Sequence, residues 1–80
     1  MPVPLKKLRR ILRSYDVWED SSQGKGSHTT FCRRIGGSVF SYPLPTHRAE
    51  IQDSYVKLLR RRLKLLPADN VPDDEFFGRA

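Results

Sequence analysis

Gly24-Lys25-Gly26-Ser27-His28 runs directly into Thr29-Thr30-Phe31-Cys32-Arg33-Arg34, and this junction holds the side chains best suited to chemistry. An unperturbed imidazole has a pKa of about 6.5 and exchanges protons near neutral pH. Cleaving a ribose-phosphate backbone needs a group that takes a proton from the 2′-OH or gives one to the leaving 5′-oxygen. It also needs positive charge to hold the phosphate. His28 meets the first need. Gly24 and Gly26 let the backbone approach a phosphate, Lys25 supplies charge, and Ser27 can orient the substrate or donate a hydrogen bond. The competing reading is that His28 only begins a strand and the glycines only shape a loop.

Other side chains extend or limit this chemistry. Lys57, Arg60, Arg61 and Lys64 recur at helical spacing and form a cationic stripe, with Lys6, Lys7, Arg9, Arg10 and Arg13 on an earlier segment. Such cations on a rigid helix suit A-form RNA, which is read mostly through its shape and backbone. A solvated helix face explains them equally well. His47, among Pro45, Thr46 and Arg48, is a second proton-transfer candidate, a phosphate contact, or an exposed loop histidine. Cys32 lies four residues from His28, roughly 13 Å along a strand, too far for thiol activation. His28, Cys32 and His47 lack the close pairing of zinc ligands, so no metal or cofactor is expected. Phe31, Trp18, Phe40 and Tyr42 suit core packing better than base stacking.

These residues need elements to position them. Leu5, Leu8, Ile11, Leu12 and Tyr15 have amphipathic-helix spacing after Pro4, ending near residues 14–16. Residues 17–19 read as a short strand and 20–26 as a loop. Residues 28–35 alternate, with Thr29, Phe31, Arg33 and Ile35 facing a core and His28, Thr30, Cys32 and Arg34 on an open, charged surface. Gly36-Gly37 makes a two-residue hairpin turn, and residues 38–44 return as a third strand ended by Pro43 and Pro45. A second helix starts near Asp53, whose carboxylate caps it, behind the packing residue Ile51, and runs to Leu66. Val56, Leu59, Leu63 and Leu66 share its buried side. The expected fold class is α+β: a small α-β-β-β-α sandwich, with a three-stranded antiparallel sheet and two helices on one face. Residues 1–66 form the domain. Residues 67–80 form an acidic tail, partly ordered at most, whose Asp73–Phe77 segment can fold back on the cationic surface or fray.

Composition narrows the class of partner. Eighty residues bury only about 60–65% of the surface of the unfolded chain, leaving little room for a deep cavity. A polymer meeting a shallow surface fits better than a small molecule. Residues 1–66 carry 14 Lys and Arg against 5 Asp and Glu, net +9. Residues 67–80 carry Arg79 against Asp69, Asp73, Asp74 and Glu75, net −3, which completes the overall +6. With a pI near 10.0, the chain favours a polyanion. Cys32 is the only cysteine, so no internal disulfide forms and a reducing, cytoplasmic setting is expected. No apolar run reaches the roughly 18–20 residues that cross a bilayer, and no signal-peptide core follows the N-terminal charges, so no membrane role is expected.

The Gly-Ser-His element leads into a strand, a short turn, a strand ending in proline and a basic helix. Over residues 5–66 this order resembles the HicA toxins of bacterial toxin–antitoxin systems. The resemblance implies a fold like that of double-stranded-RNA-binding domains, metal-independent cleavage of mRNA with His28 as the functional histidine, and neutralisation by a HicB-type antitoxin. Here Lys25, Gly26 and Ser27, with Arg33 or Arg34, steady the scissile phosphate, while Lys57, Arg60, Arg61 and Lys64 hold the flanking RNA. The chain departs from typical members in its acidic tail and its polar Trp18–Gln23 connection. Two alternatives stand beside this reading: a non-catalytic RNA-binding module of the same fold, and an adaptor that docks an acidic protein.

Overall fold

Leu5, Leu8, Ile11 and Leu12 lie on one side of a helical spiral, and all four are buried in helix α1, Leu5–Ser14. The computed structural model describes residues 1–20 and 26–79. Three strands, β2 (Trp18–Asp20), β3 (His28–Ile35) and β4 (Ser38–Pro45), form an antiparallel sheet with β3 in the centre. Helix α2 spans Asp53–Arg62. Val56, Leu59 and Leu63 join the buried α1 side chains and Phe31 and Leu44 of one sheet face in a single cluster. The α+β class and the three-stranded sheet are as expected. A further two-stranded ribbon was not: β1 (Val3–Pro4) pairs with β5 (Glu50–Ile51), so that both chain segments entering the helices start side by side. Among the described residues no helix is long and apolar enough to cross a membrane.

The hairpin register follows from the turn. Ile35 pairs with Ser38, leaving Gly36-Gly37 as the two-residue connection. Only Gly36 has positive φ, at 61°, the φ pattern of a type II′ turn. Alternation along the ladder then puts the backbone groups of residues 38, 40, 42, 44 and 46 towards β3, as the bond from Thr46 N–H to Ser27 O at 2.7 Å marks. Pro43 and Pro45 fall on the opposite parity, where their missing N–H groups cost the ladder nothing. They sit inside β4 rather than beyond its end.

Both helices stop in the same way. In α1, Asp16 N–H bonds Arg13 O and Val17 N–H bonds Leu12 O, each at 3.0 Å. In α2, Lys64 N–H bonds Arg61 O and Leu65 N–H bonds Arg60 O at 3.4 and 2.7 Å. These are Schellman motifs, with Asp16 and Lys64 in the left-handed conformation at φ 62° and 61°. The second helix therefore ends at Arg62, not at Leu66. It starts at Asp53 as expected, but Gln52 is the N-cap and no side chain caps it. The Asp53 carboxylate is paired instead with the Met1 amino group.

The largest correction concerns residues 67–80. Residues 67–79 are folded: a 3₁₀ turn, Pro67–Asp69, and helix α3, Asp73–Phe77. The Asp69 carboxylate accepts Leu66 N–H at 3.1 Å. Phe76 is fully buried in the common core, stacked on Tyr15 at 5.9 Å and edge-on to Phe77 at 5.1 Å. Tyr15 donates its hydroxyl proton to Glu75. Burial first, and that bond second, raise its pKa above the usual phenol value. Pro67 is thus not the edge of the core, because an aromatic ring from beyond it fills the gap between the C-terminal ends of α1 and α2.

Two stability tests follow. Phe76→Ala is expected to cost about 3–5 kcal/mol in urea denaturation followed by circular dichroism, the scale for emptying a buried aromatic site. An effect below about 1 kcal/mol would mean that α3 is only loosely docked. In the hairpin, a Cβ at Gly36 or Gly37 meets nothing within 4 Å, so only backbone conformation matters. Gly36→Ala should destabilise by about 1–2 kcal/mol and Gly37→Ala by much less.

Candidate functional site

His28 opens β3 two residues after Gly26, whose φ of 61° suits a residue without a Cβ. Its imidazole is exposed, on the sheet face away from the helices. Gly24 and Lys25 lie outside the described residues. Ser27 Oγ is 3.4 Å from His28 Nδ1, a long contact that orients the ring only loosely. Across the ladder His28 faces Pro45, and the chain continues into Thr46, His47 and Arg48. Thr46 holds this continuation to the start of β3: its hydroxyl lies 2.8 Å from Thr29 Oγ1 and 3.3 Å from Ser27 O. Arg48 Nε donates to His47 Nε2 at 3.4 Å. Two exposed imidazoles and a guanidinium therefore share one end of the sheet. The Thr29–Thr46 tie was not anticipated, since neither threonine carries a spacing signal of its own.

Beside this end, His47 and Arg48 line a shallow groove of about 270 Å³ together with Pro45, Glu50, Gln52 and Tyr55. Tyr55 is 40% exposed and presents a ring face of the kind on which bases stack. It was not among the expected contacts, because nothing in the helical pattern marks it apart from other outward positions.

The expected open face is less open than its alternation suggests. Thr30 and Cys32 are buried, although they share a side with His28. Both are short side chains on the central strand, facing Asp20 and Trp18 on one neighbour and Pro43 and Ser41 on the other. Larger cross-strand neighbours shield small residues in that position. Burial, and then the Asp20 charge, push the Cys32 thiol above its ordinary pKa, which disfavours the thiolate. Arg34 is exposed on this face, six residues from His28 and roughly 20 Å along the strand.

Two of the expected RNA contacts are spent on the fold. Arg33 points to the helix side, where its Nη1 donates to Leu63 O and Lys64 O at 2.8 and 3.1 Å and satisfies the end of α2. Arg60 is 5% exposed. Its Nε donates to Leu65 O at 2.8 Å, Nη2 to Val71 O at 3.1 Å and Nη1 to Asp73 Oδ1 at 2.7 Å. The guanidinium carbon lies 4.4 Å from the Phe76 ring centroid. The cationic stripe is therefore interrupted at its centre. Lys57, Arg61 and Lys64 remain exposed, with Lys64 Nζ 5.7 Å from the Phe40 ring centroid. On the first helix Arg9 is also engaged, in a two-pronged pair with Glu19 at 3.0 Å on each arm.

Arg60 and Arg61 are neighbours with opposite environments, which a substitution pair will separate. Arg60→Ala strands two buried carbonyls and empties space beside Phe76, and should cost about 2–4 kcal/mol in denaturant titration. Arg61→Ala should stay within about 0.5 kcal/mol of the parent.

Compared with protein-family models, curated proteins and solved structures, the chain matches no family model, no curated protein and no solved structure.

Proposed function

We propose that this protein is a small HicA-like ribonuclease that cuts mRNA with His28 as general acid or base and needs no metal. The observation that carries the reading is an exposed imidazole at the start of the central strand, opposite Pro45, from which the chain runs on to His47 and Arg48. The chemistry needs no more than two proton movements. One base removes the ribose 2′-OH proton, the 2′-oxygen attacks phosphorus, and the P–O5′ bond breaks. An acid returns a proton to the leaving 5′-oxygen, giving a 2′,3′-cyclic phosphate and a 5′-hydroxyl. His28 takes one role, and His47, two residues past the cross-strand partner Pro45, is the candidate for the other. Arg48, with Ser27, Gly26 and the charge that Lys25 brings in the sequence, steadies the phosphate. Lys57 and Arg34 can hold flanking RNA, whereas Arg61 and Lys64 line a separate groove between β4 and α2. Arg60 drops out because all three of its nitrogens are bonded, and Arg33 because its Nη1 is bonded to the end of α2. The element order α1, β2, β3, β4, α2 supports an arrangement like that of double-stranded-RNA-binding domains, and the family resemblance adds a HicB-type antitoxin as partner.

A non-catalytic RNA-binding module is the second reading. It is favoured by the loose hold on His28, whose ring meets only Ser27 Oγ among the described residues; general bases are usually oriented by a stronger acceptor. The two readings part on one experiment. Cleavage of a single-stranded RNA and its binding are measured side by side for the parent, His28→Ala and His47→Ala. The expected result is a loss of cleavage of about 10²-fold or more for His28→Ala, with affinity changed less than about threefold, and a smaller loss for His47→Ala. Binding without cleavage by any of the three proteins, and no growth arrest on expression, would establish the module instead.

A further inference from the structure

Strand β4 is the end of its sheet, and among the described residues nothing pairs with its outer edge. Parity decides which backbone groups that edge presents: those of residues 39, 41, 43 and 45. Pro43 and Pro45 have no N–H to offer, so strand addition is blocked over the second half of β4 and open over the first. Val39 and Ser41 each present a free N–H and C=O. Next to them, an open groove of about 470 Å³ runs between β4 and α2, lined by Phe40, Tyr42, Leu58, Arg61, Arg62 and Lys64. It contains three cations and no carboxylate. The guanidinium groups of Arg61 and Arg62 have no ion-pair or hydrogen-bond partner among the described residues, and Leu58 and Val39 are 46% and 49% exposed.

We infer that this edge and groove form a docking site for an extended acidic segment of a partner protein, which adds as a strand beside Val39–Ser41. The backbone of such a segment matches the edge groups. Its alternate side chains fall into the groove, where carboxylates meet Arg61, Arg62 and Lys64 and apolar groups meet Leu58 and Tyr42. RNA satisfies the cations but leaves the two edge N–H groups and the apolar flanks without a counterpart. The site lies on the helix side of the sheet, and Phe40 pairs with Arg33, five residues and roughly 17 Å along β3 from His28. It therefore stands whether or not His28 is catalytic.

The test uses the full chain and a fluorescent peptide of about eight residues alternating Glu and Val, with anisotropy as the readout. Ser41→Pro removes one edge N–H at a parity where β4 already accepts proline, so the ladder to β3 is left intact. The inference expects measurable binding by the parent, weakened about tenfold or more by Ser41→Pro and by the Arg61→Glu/Arg62→Glu double variant. A peptide N-methylated at alternate residues, which cannot pair along the edge, should also fail to bind the parent. That arm holds even if Ser41→Pro misfolds. Equal affinity for the N-methylated peptide, or no binding of the parent peptide, overturns the inference. So does an oligouridylate that displaces the peptide and binds Ser41→Pro as well as it binds the parent.

Discussion

A guanidinium leaves water only if its donors find acceptors, and Arg60 meets that condition in one arrangement of the chain. Its acceptors are Leu65 O just past α2, Val71 O in the following loop and Asp73 at the start of α3. The ring of Phe76 covers its face. Polar and apolar requirements thus point the same way: the chain after Pro67 must fold back for Arg60 to be buried, and Arg60 must be buried for Phe76 to have a floor. Arg79 closes the outer side, 4.0 Å over the Tyr15 ring and bonded to Ser14 O at 3.3 Å. Acidic side chains there complete the core's polar lining rather than screening an RNA surface.

The sheet separates two kinds of surface. At one end stand His28, His47 and Arg48, the groups proposed to act on RNA. On the other side, at the opposite end of β4, lie the cations of α2 beside an unpaired strand edge. Their separation follows from the register: the short Gly36-Gly37 turn fixes parity along the whole of β4, and parity decides which way every side chain and every backbone group points. Arg33 shows the same rule from within, since its place on the helix side makes it a terminator for α2 rather than a ligand for RNA.

Much of this was legible in the sequence. Leu5, Leu8, Ile11 and Leu12 announced the first helix, the alternation from His28 to Ile35 announced the central strand, and Gly36-Gly37 announced the hairpin. His28 was expected on an exposed surface and lies there. What escaped has physical causes. Helix ends are usually signalled by glycine at the left-handed position, but Asp16 and Lys64 occupy it here, so the second helix looked longer than it is. Arg60 sat in a regular cationic pattern, and only the fold of residues 67–79 reveals that its position faces inward. Those residues in turn looked disordered because Phe76 and Phe77 stand in a run of acids and prolines, where a single buried ring leaves no periodic trace. The β1–β5 ribbon has two residues per strand, too few to alternate visibly.

Trp18, the chain's single tryptophan, pairs with Cys32 and so lies on the face that carries His28, 40% exposed on the outer strand. The molecule thereby contains a native optical reporter for one surface alone. Anything that settles over that face changes the polarity around the indole and shifts its emission, while an occupant of the far groove leaves the spectrum where it was.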